Sequence, residues 1–307
     1  MAVNKLENFN RIIDITFIGP ARYDGSELRK NERSIICPRH GRKPEIEING
    51  TMGASYALMA LHITIKNLYV DYRTEQYSKI RIRAGYENNY KTFEANIVFM
   101  YPDRPGPEST TIIECTCGNV MPQWLDATVN IVFEAGTKIQ DVLESIKAKL
   151  GVTELVMGDH AKTLSLKEPF YFNGTAREVL ERLNQRFADD KLQCFMQQSR
   201  ICAICLETED HISIRQVKYL SAPLNFKQGG GEYGVNHQTV TAPWMPDLLP
   251  GDLLEIPAVV FRANNAIIGS KNLTNKQRMQ VWQISFHFGT CGTVNQMVCE
   301  CSTGASK

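Results

Sequence analysis

The sequence has 307 residues, a formal net charge of +1 and 22% charged residues, which is typical of a soluble globular protein with two or three domains. The near-zero net charge excludes a general electrostatic attraction to nucleic acid or to an anionic membrane. The sequence contains no apolar run of about 18 residues, the length that a transmembrane helix requires, so we expect no membrane insertion by this chain. Its start lacks the apolar core of a signal peptide, which predicts synthesis in a reducing cytosol.

The first 120 residues are predicted to form β-strands. Alternating or nearly alternating apolar residues mark six segments: Arg11–Ile18, Glu45–Ile48, His62–Val70, Lys79–Ala84, Phe93–Phe99 and Thr110–Cys115. The many charges of residues 22–44 predict an exposed loop or a loose strand. The pair Asn49-Gly50 predicts a tight turn after the second segment, and Tyr101–Pro107 predicts a proline-rich turn after the fifth.

Two helices are predicted in the middle of the chain. Each follows a glycine and begins with a capping-box pattern, Thr137 with Gln140 and Thr175 with Glu178, in which the hydroxyl accepts a backbone N–H and the longer side chain reaches back to the cap. Apolar residues recur at helical spacing near 138–150 (Ile139, Val142, Leu143, Ile146, Leu150) and near 176–187 (Ala176, Val179, Leu180, Leu183, Phe187). Gly151 is expected to end the first helix.

The helices divide the chain into a β-rich part at 1–120, an α/β insert at 121–200 and a second β-rich part at 201–307. Further strands are predicted at Thr128–Phe133 and Glu168–Phe172 in the insert, and at Ile201–Leu206, His211–Tyr219, Leu253–Phe261 and Val281–Phe288 after it. The tail from Gly292 is small and polar, so we expect it to be flexible.

Nine cysteines are more than such a chain needs. Cys115 with Cys117, and Cys202 with Cys205, could form the two halves of a four-thiolate zinc site. Disulfides formed after assembly are an alternative, although an odd number of cysteines leaves at least one unpaired. We favour a third interpretation: Cys115, Cys202 and Cys205 lie in strand-like runs, where a free cysteine behaves as a small buried hydrophobe.

The sequence carries no phosphate-binding loop, dinucleotide fingerprint, zinc-protease motif or nucleophile elbow, and its six histidines show no ligand-like spacing. Three pairs have the residue types of a catalytic site, namely Cys37 with His40, Glu45 with Glu47, and Asp189 with Asp190. Such carboxylates are more typical of a solvated face, and the pair Cys37 and His40 would need a fold that orients the base. Gly229–Gly231 precedes no helix and is more typical of a flexible loop than of a phosphate cradle. We therefore predict a non-enzymatic protein with no catalytic, cofactor-binding or metal-binding residues.

Several motifs, taken in order, resemble those of the tail (baseplate) hub proteins of tailed bacteriophages. Tyr77–Asn88 resembles the family's strand ending in Ala-Gly-Tyr, and Phe93–Ile97 is similar to its F-x-G-x-I strand, with Ala95 in place of glycine. Thr111–Glu114, Val129–Leu150 and Gly174–Leu183 follow in the family's order, Pro246–Ile256 resembles its P-x-L-x-P-G-D stretch, and Gln283–Gly289 resembles its terminal H-x-G strand. The resemblance covers most of residues 77–290, whereas the loop at 20–45 and the cysteines have no counterpart in it.

The resemblance implies a mainly β (α+β) fold with two tube-like β-barrel domains, at 1–120 and 201–307, joined by the two-helix α/β insert. It also implies a structural virion protein, a tail or baseplate hub that forms a homotrimer. Three chains with two barrels each would adapt a six-fold tail tube to a three-fold central spike and line the channel for DNA ejection. The implied partners are the tail tube or distal tail protein ring, the central spike, the tape measure protein and baseplate proteins, without sequence-specific contact to nucleic acid.

Two other classes of protein remain as alternatives. One is a metal-dependent enzyme or regulator with Cys115, Cys117, Cys202 and Cys205 as its site. The other is a ring-forming component of a secretion system. The type VI secretion spike shares the hub fold but usually continues into a spike domain, so a chain of 307 residues favours a phage hub whose spike is a separate chain.

Overall fold

A computed structural model describes the chain at residues 11–20, 22–24, 27–29, 31–36, 44–54, 59–68, 77–86, 89–103, 109–117, 127–197, 200–206, 208, 210–216, 227–229, 237–256, 262–263, 266–267, 277–291 and 295–302. Within these ranges, neither helix is long and apolar enough to cross a membrane.

The part of the chain before the insert is built from strands. They are β1 (Arg11–Ile18), β2 (Arg22–Asp24), β3 (Glu27–Arg29), β4 (Glu32–Ile35), β5 (Ile46–Gly53), β6 (Met59–Lys66), β7 (Lys79–Tyr86), β8 (Asn89–Asp103) and β9 (Thr110–Cys117). Each predicted strand has its counterpart here. The segment predicted as a loop or loose strand forms the hairpin of β2 and β3, followed by β4, which pairs with β1.

The insert holds both helices. Its elements are β10 (Thr128–Phe133), α1 (Ile139–Leu150), β11 (Glu154–Met157), a 3₁₀ turn (Ala161–Thr163), β12 (Phe170–Thr175), α2 (Ala176–Arg186), β13 (Leu192–Gln197) and β14 (Arg200–Cys205). Strand β10 pairs with β12, while β14 lies between β11 and β13 in a three-stranded sheet. Strand β14, which ends at Cys205, therefore pairs with strands of the insert, while the domain boundary at residue 200 stays a prediction.

Strands return after the insert. They are β15 (Ile214–Gln216), β16 (Lys227–Gly229), β17 (His237–Pro243), β18 (Leu253–Ile256), β19 (Arg262–Ala263), β20 (Ala266–Ile267), β21 (Gln277–Gly289) and β22 (Gln296–Ser302). The prediction of a flexible tail from Gly292 is wrong for β22, because this strand pairs with both β17 and β21. Its Met297, Cys299 and Cys301 are fully buried.

The two helices begin differently from one another. At α2 the predicted capping box is confirmed: Glu178 N–H donates to Thr175 Oγ1 over 3.3 Å, and Thr175 N–H donates to the Glu178 carboxylate over 2.7 Å. At α1 the predicted cap is wrong, because the helix begins one residue later, after Lys138, and the Thr137 hydroxyl donates to the Glu134 carbonyl over 2.8 Å. Both predicted apolar stripes are buried, except that Leu150 at the end of α1 is only partly buried.

Glycines behave as predicted at one position and not at another. Gly151 ends α1 in the left-handed conformation, with φ of 64°, as expected of a helix C-terminus. The predicted turn at Asn49-Gly50 is wrong, because β5 continues through both residues. A Cβ atom at Gly50 would collide with the ring of Phe286 and with Leu61, so glycine permits a close approach within the sheet here.

One large sheet unites the first and last parts of the chain. Its strands follow the order β16-β17-β22-β21-β5-β6-β9-β8-β7-β1-β4, with β18 also paired to β21 and β15 to β18. The link is the antiparallel pairing of β5 with β21, which places Asn49 opposite His287. The mainly β (α+β) class with a two-helix insert is thereby confirmed, and the division into two barrels stays a prediction.

Among the described residues, the buried apolar side chains form two large cores and a small one. The core of the large sheet draws on both ends of the chain, and in it Trp244 packs its ring 5.1 Å from Phe286 and 4.3 Å from Phe288. The insert has its own core, under α1 and α2. A small cluster connects the two: Phe195, Cys202 and Ile204 of the insert with Ala54, and with Trp282 of β21 partly buried beside them.

Candidate functional site: the polar face of the large sheet

The large sheet has a dry face and a polar face. Side chains alternate between the two along each strand, so that Ile80, Ile82 and Ala84 of β7 are buried while Lys79, Arg81 and Arg83 lie on the opposite side. The same alternation holds in β1, β5, β6 and β9, as their burial patterns show. The term polar face is used below for the solvent-facing side of this sheet.

A row of polar side chains crosses five neighbouring strands on this face. The residues directly opposite one another are Gln296, His287, Asn49, His62 and Glu114. His62 Nδ1 lies 2.7 Å from the Glu114 carboxylate, and His287 Nδ1 lies 2.6 Å from the side-chain oxygen of Asn49. We call these five residues the histidine row. They line a shallow cavity of about 390 Å³.

The spacing of the histidines in the sequence gives no sign that two of them share one row. His62 and His287 are 225 positions apart in the sequence, but β5 places them two strands apart in one register. Alternation within each strand is visible in the sequence and would have assigned both residues to a polar face. The partner strands, however, are set by long-range pairing, for which the sequence carries no local pattern.

Charged residues on the polar face are paired across strands. Arg81 lies directly opposite Glu94 with Nε 2.8 Å from the carboxylate. Arg83 lies opposite Asp14, with a nitrogen-to-oxygen distance of 3.8 Å. Lys66 pairs with Glu45 over 2.6 Å. This part of the surface is therefore rich in charges but nearly neutral in their sum.

One stretch of the polar face is apolar. The last part of β8, from Ile97 to Asp103, pairs with β9 across a bulge, whereas the pairing of β8 with β7 stops at Asn96. On this stretch Phe99 is 64% exposed, Val98 is 50% exposed and Tyr101 is 44% exposed. We call it the β8 arm.

The insert is anchored to the sheet through a buried carboxylate. Asp210 is 5% exposed, and its two oxygens accept hydrogen bonds from the backbone N–H groups of His160, Ala161 and Cys205, at 2.9, 3.1 and 3.0 Å. From β21, the Gln280 amide donates to the carbonyls of Cys205 and Asp210 at 3.1 and 2.5 Å. The 3₁₀ turn, β14 and β21 therefore meet at one polar contact.

A second polar contact involves the motif Pro250-Gly251-Asp252. The Asp252 carboxylate accepts the Leu249 N–H over 3.0 Å and the Ser213 hydroxyl over 2.7 Å. Burial raises its pKa above the ordinary range for an aspartate. Gly251 has φ of 91°, a left-handed conformation that favours glycine, so this motif builds a tight turn before β18.

Lys91 stands on the dry side of β8 near that turn. It lies opposite the buried Ala84, and its ammonium is 5.8 Å from the centre of the Phe93 ring. Burial, together with the nearby charge of Arg200, lowers the pKa of Lys91 to about 8, although the carboxylates of Asp252 and Asp247 act in the opposite direction. A charged amine at this position therefore lowers the stability of the folded protein.

The cysteines proposed for a zinc site do not come together as the sequence allowed. Cys115 belongs to the core of the large sheet, whereas Cys205 lies in the core of the insert and Cys202 lies on the opposite face of the same strand. Burial raises the pKa of the Cys115, Cys202 and Cys205 thiols to about 12, which disfavours the thiolate that a metal or a nucleophile needs. Cys117 ends β9. The seven cysteines whose side chains are described are free: Cys115, Cys194, Cys202, Cys205, Cys291, Cys299 and Cys301.

The other residue pairs singled out from the sequence have ordinary surroundings or fall outside the description. Cys37 and His40 lie outside the described residues, as do Gly230 and Gly231. Glu45 is engaged by Lys66. Asp190 lies 3.7 Å from Lys167. None of these contacts builds a catalytic geometry within the described part of the chain.

Comparison with known proteins shows which solved structures share the fold of this chain. In sequence, no family model and no curated protein matches. In structure, the chain is similar to the tail protein from Neisseria meningitidis MC58, with a TM-score of 0.54, 5% identity and coverage of 96% of this chain and 97% of that one. It is also similar to the 43 kDa tail protein of prophage MuSo2 from Shewanella oneidensis, with a TM-score of 0.52, 9% identity and 97% coverage of both chains.

A third similar structure comes from a secretion system. The E. coli c3393 protein is described as a component of the type VI secretion system with structural similarity to the T4 bacteriophage tail proteins gp27 and gp5. Its TM-score is 0.51 at 8% identity, over 84% of this chain and 73% of that one. The chain therefore has the fold of these phage tail proteins and of this secretion-system component, as the resemblance in the sequence implied.

Proposed function

We propose that the chain is a structural tail or baseplate hub protein of a tailed bacteriophage, located in the virion and made in the cytoplasm of the bacterial host. The observation that carries the proposal is the similarity of fold to two phage tail proteins over nearly the full length of both partners. In this role three copies form a ring that joins a six-fold tail tube to a three-fold central spike. The tail tube or distal tail ring, the spike, the tape measure protein and baseplate proteins are its partners, and DNA passes through its channel.

The surface supports an assembly role rather than a catalytic one. The β8 arm exposes Val98, Phe99 and Tyr101 along a strand edge, which a monomer in solution would normally cover or charge. We assign this arm to the contact with the next copy of the chain. The polar face, with its paired charges, suits the wall of a water-filled channel.

The mass of the purified full-length protein in solution tests the proposal. We expect a trimer by light scattering, and a strict monomer, a dimer or a hexamer would contradict the hub. The contact is tested with Phe99→Ser/Tyr101→Ser, which should shift the protein toward monomers. The matched control is Val132→Ser/Tyr171→Ser in the insert, where the exposed fractions are 64% and 71%. An equal effect of both variants would show that the β8 arm is not the contact.

A spike-hub component of a type VI secretion system is the second candidate, favoured by the similarity to the c3393 protein. Antibody labelling of purified tailed particles distinguishes the two functions. Label at the end of the tail supports the phage hub. Label that is absent from tailed particles and present on a contractile secretion apparatus supports the second candidate.

A further inference from the structure

The strand β7 carries three cations on the polar face. Lys79, Arg81 and Arg83 occupy alternate positions of the strand, so they point to the same side at intervals of about 6.8 Å. A line of cations on an exposed surface is the usual electrostatic means of holding the phosphates of nucleic acid. We call these three residues the basic row.

Carboxylates from both neighbouring strands neutralise two members of this basic row. Glu94 of β8 faces Arg81, with its oxygen 2.8 Å from Nε, and Asp14 of β1 faces Arg83 at 3.8 Å. The guanidinium of Arg83 also lies 3.6 Å from the centre of the Tyr90 ring. Both arginines remain more than 40% exposed, so the carboxylates compete with an incoming phosphate without hiding the cations.

These two ion pairs add little to the stability of the folded protein. Exposed ion pairs of this kind contribute little to folding, because the charges are solvated before and after pairing. Their effect on the surface potential is larger, since each carboxylate removes one site at which a phosphate would displace counterions. The carboxylates lie directly opposite the arginines in register, a position from which they weaken the attraction of both guanidinium groups for an incoming phosphate.

We propose that Asp14 and Glu94 keep the basic row from retaining duplex DNA, so that the polar face lets DNA slide past. The inference rests on the proposed hub function, in which this face borders the channel. Asp14 and Glu94 thereby set the strength of the interaction between this face and the passing DNA.

Binding of a fluorescent short DNA duplex to the full-length protein tests the proposal. The variant Asp14→Asn/Glu94→Gln exposes two arginines, and we expect at least a tenfold gain in affinity at low salt. With two phosphate contacts this gain should be strongly salt-dependent, falling about 12-fold between about 50 and about 200 mM salt. Adding Arg81→Gln and Arg83→Gln to the same variant should abolish the gain.

The matched control makes the same change of net charge in the insert. Asp159→Asn/Glu168→Gln removes the carboxylate partners of Lys162 and Arg186, and we expect it to leave DNA binding unchanged. The inference is overturned if the control gains as much affinity, if the folded double variant gains none, or if the wild-type protein already binds as tightly as the variant. Circular dichroism establishes that each variant is folded. The mass of the particle in solution tests the hub function independently of this experiment, because DNA binding can be measured on any oligomer.

Discussion

Replacement of Asp210 by alanine should destabilise the junction between the insert and the large sheet. The side chain is 5% exposed and satisfies three backbone N–H groups, those of His160, Ala161 and Cys205. A hydrogen bond to a charged group contributes about 1.5–3 kcal/mol, and leaving buried donors without an acceptor adds a desolvation cost. Because His160 is exposed to water, which can replace one bond, we expect a total loss of about 3–5 kcal/mol.

Urea unfolding, followed by two probes, measures this loss. Far-UV circular dichroism reports chiefly on α1 and α2 of the insert, whereas tryptophan fluorescence includes Trp244 and Trp282, which pack with the large sheet. In Asp210→Ala the two transitions should move apart, because Gln280 loses the ordered loop that it holds. The control is Asp189→Ala, an exposed carboxylate whose loss should change stability by less than about 0.5 kcal/mol. A loss below about 1 kcal/mol in Asp210→Ala, or coincident transitions shifted as in the control, would refute the reasoning.

Three further predictions concern the helices and the half-buried Lys91. Leu143→Ala should cost about 2–5 kcal/mol by urea unfolding, because Leu143 is fully buried in the core of the insert; a cost below about 1 kcal/mol would contradict that packing. Thr175→Ala should lower the free energy of unfolding by about 1 kcal/mol through loss of the cap. Thr137→Ala should lower it by less than about 0.5 kcal/mol, because the Thr137 hydroxyl only donates to a nearby carbonyl. Equal losses in the two variants would show that Thr137 does cap its helix. Lys91 has a folded pKa of about 8, below its ordinary value of 10.5, so the unfolded chain binds the proton more tightly and stability should rise as pH rises from about 8 to about 10.5. Lys91→Met should therefore be more stable than wild type by about 1–3 kcal/mol at neutral pH, with a difference that shrinks toward pH 10 in parallel denaturation curves; a constant difference would contradict the burial of the charge.

Local structure could be predicted where the pattern and its contacts lie within a few residues. The buried stripe of α2 and its cap at Thr175 depend on neighbours within one or two turns, and the alternation of β7 depends on the strand alone. The cap at Thr137 had the same sequence pattern, but its hydroxyl found the Glu134 carbonyl instead. A capping box is thus one of several ways for a threonine to satisfy a local backbone group.

The large-scale arrangement could not be predicted, because it depends on contacts between distant residues. Gly50 looked like a turn residue, yet it lies within β5 because Phe286, 236 positions later, fills the space beside it. Strand β22 was predicted as part of a polar tail because its apolar and polar residues do not alternate clearly. Its buried positions include Cys299 and Cys301, while the apolar Val298 lies on the other side together with Glu300. The histidine row has the same origin, since each residue is ordinary alone and the register of β5, β6 and β21 brings the row together.

The pairing of β5 with β21 also bears on how the chain works as a unit. If the parts before and after the insert were independent, each would end in a strand with an open edge at this point, exposing unpaired N–H and C=O groups. Instead, their apolar side chains share one core, in which Phe93 of β8 packs with Trp244 and Phe286 from the end of the chain. In the described part of the chain, the insert joins this body through the Asp210 contact and the small cluster around Phe195, which has far fewer buried side chains than the shared core. Among the described residues, we therefore expect the junction of the insert to open more readily than the boundary between the two β-rich parts.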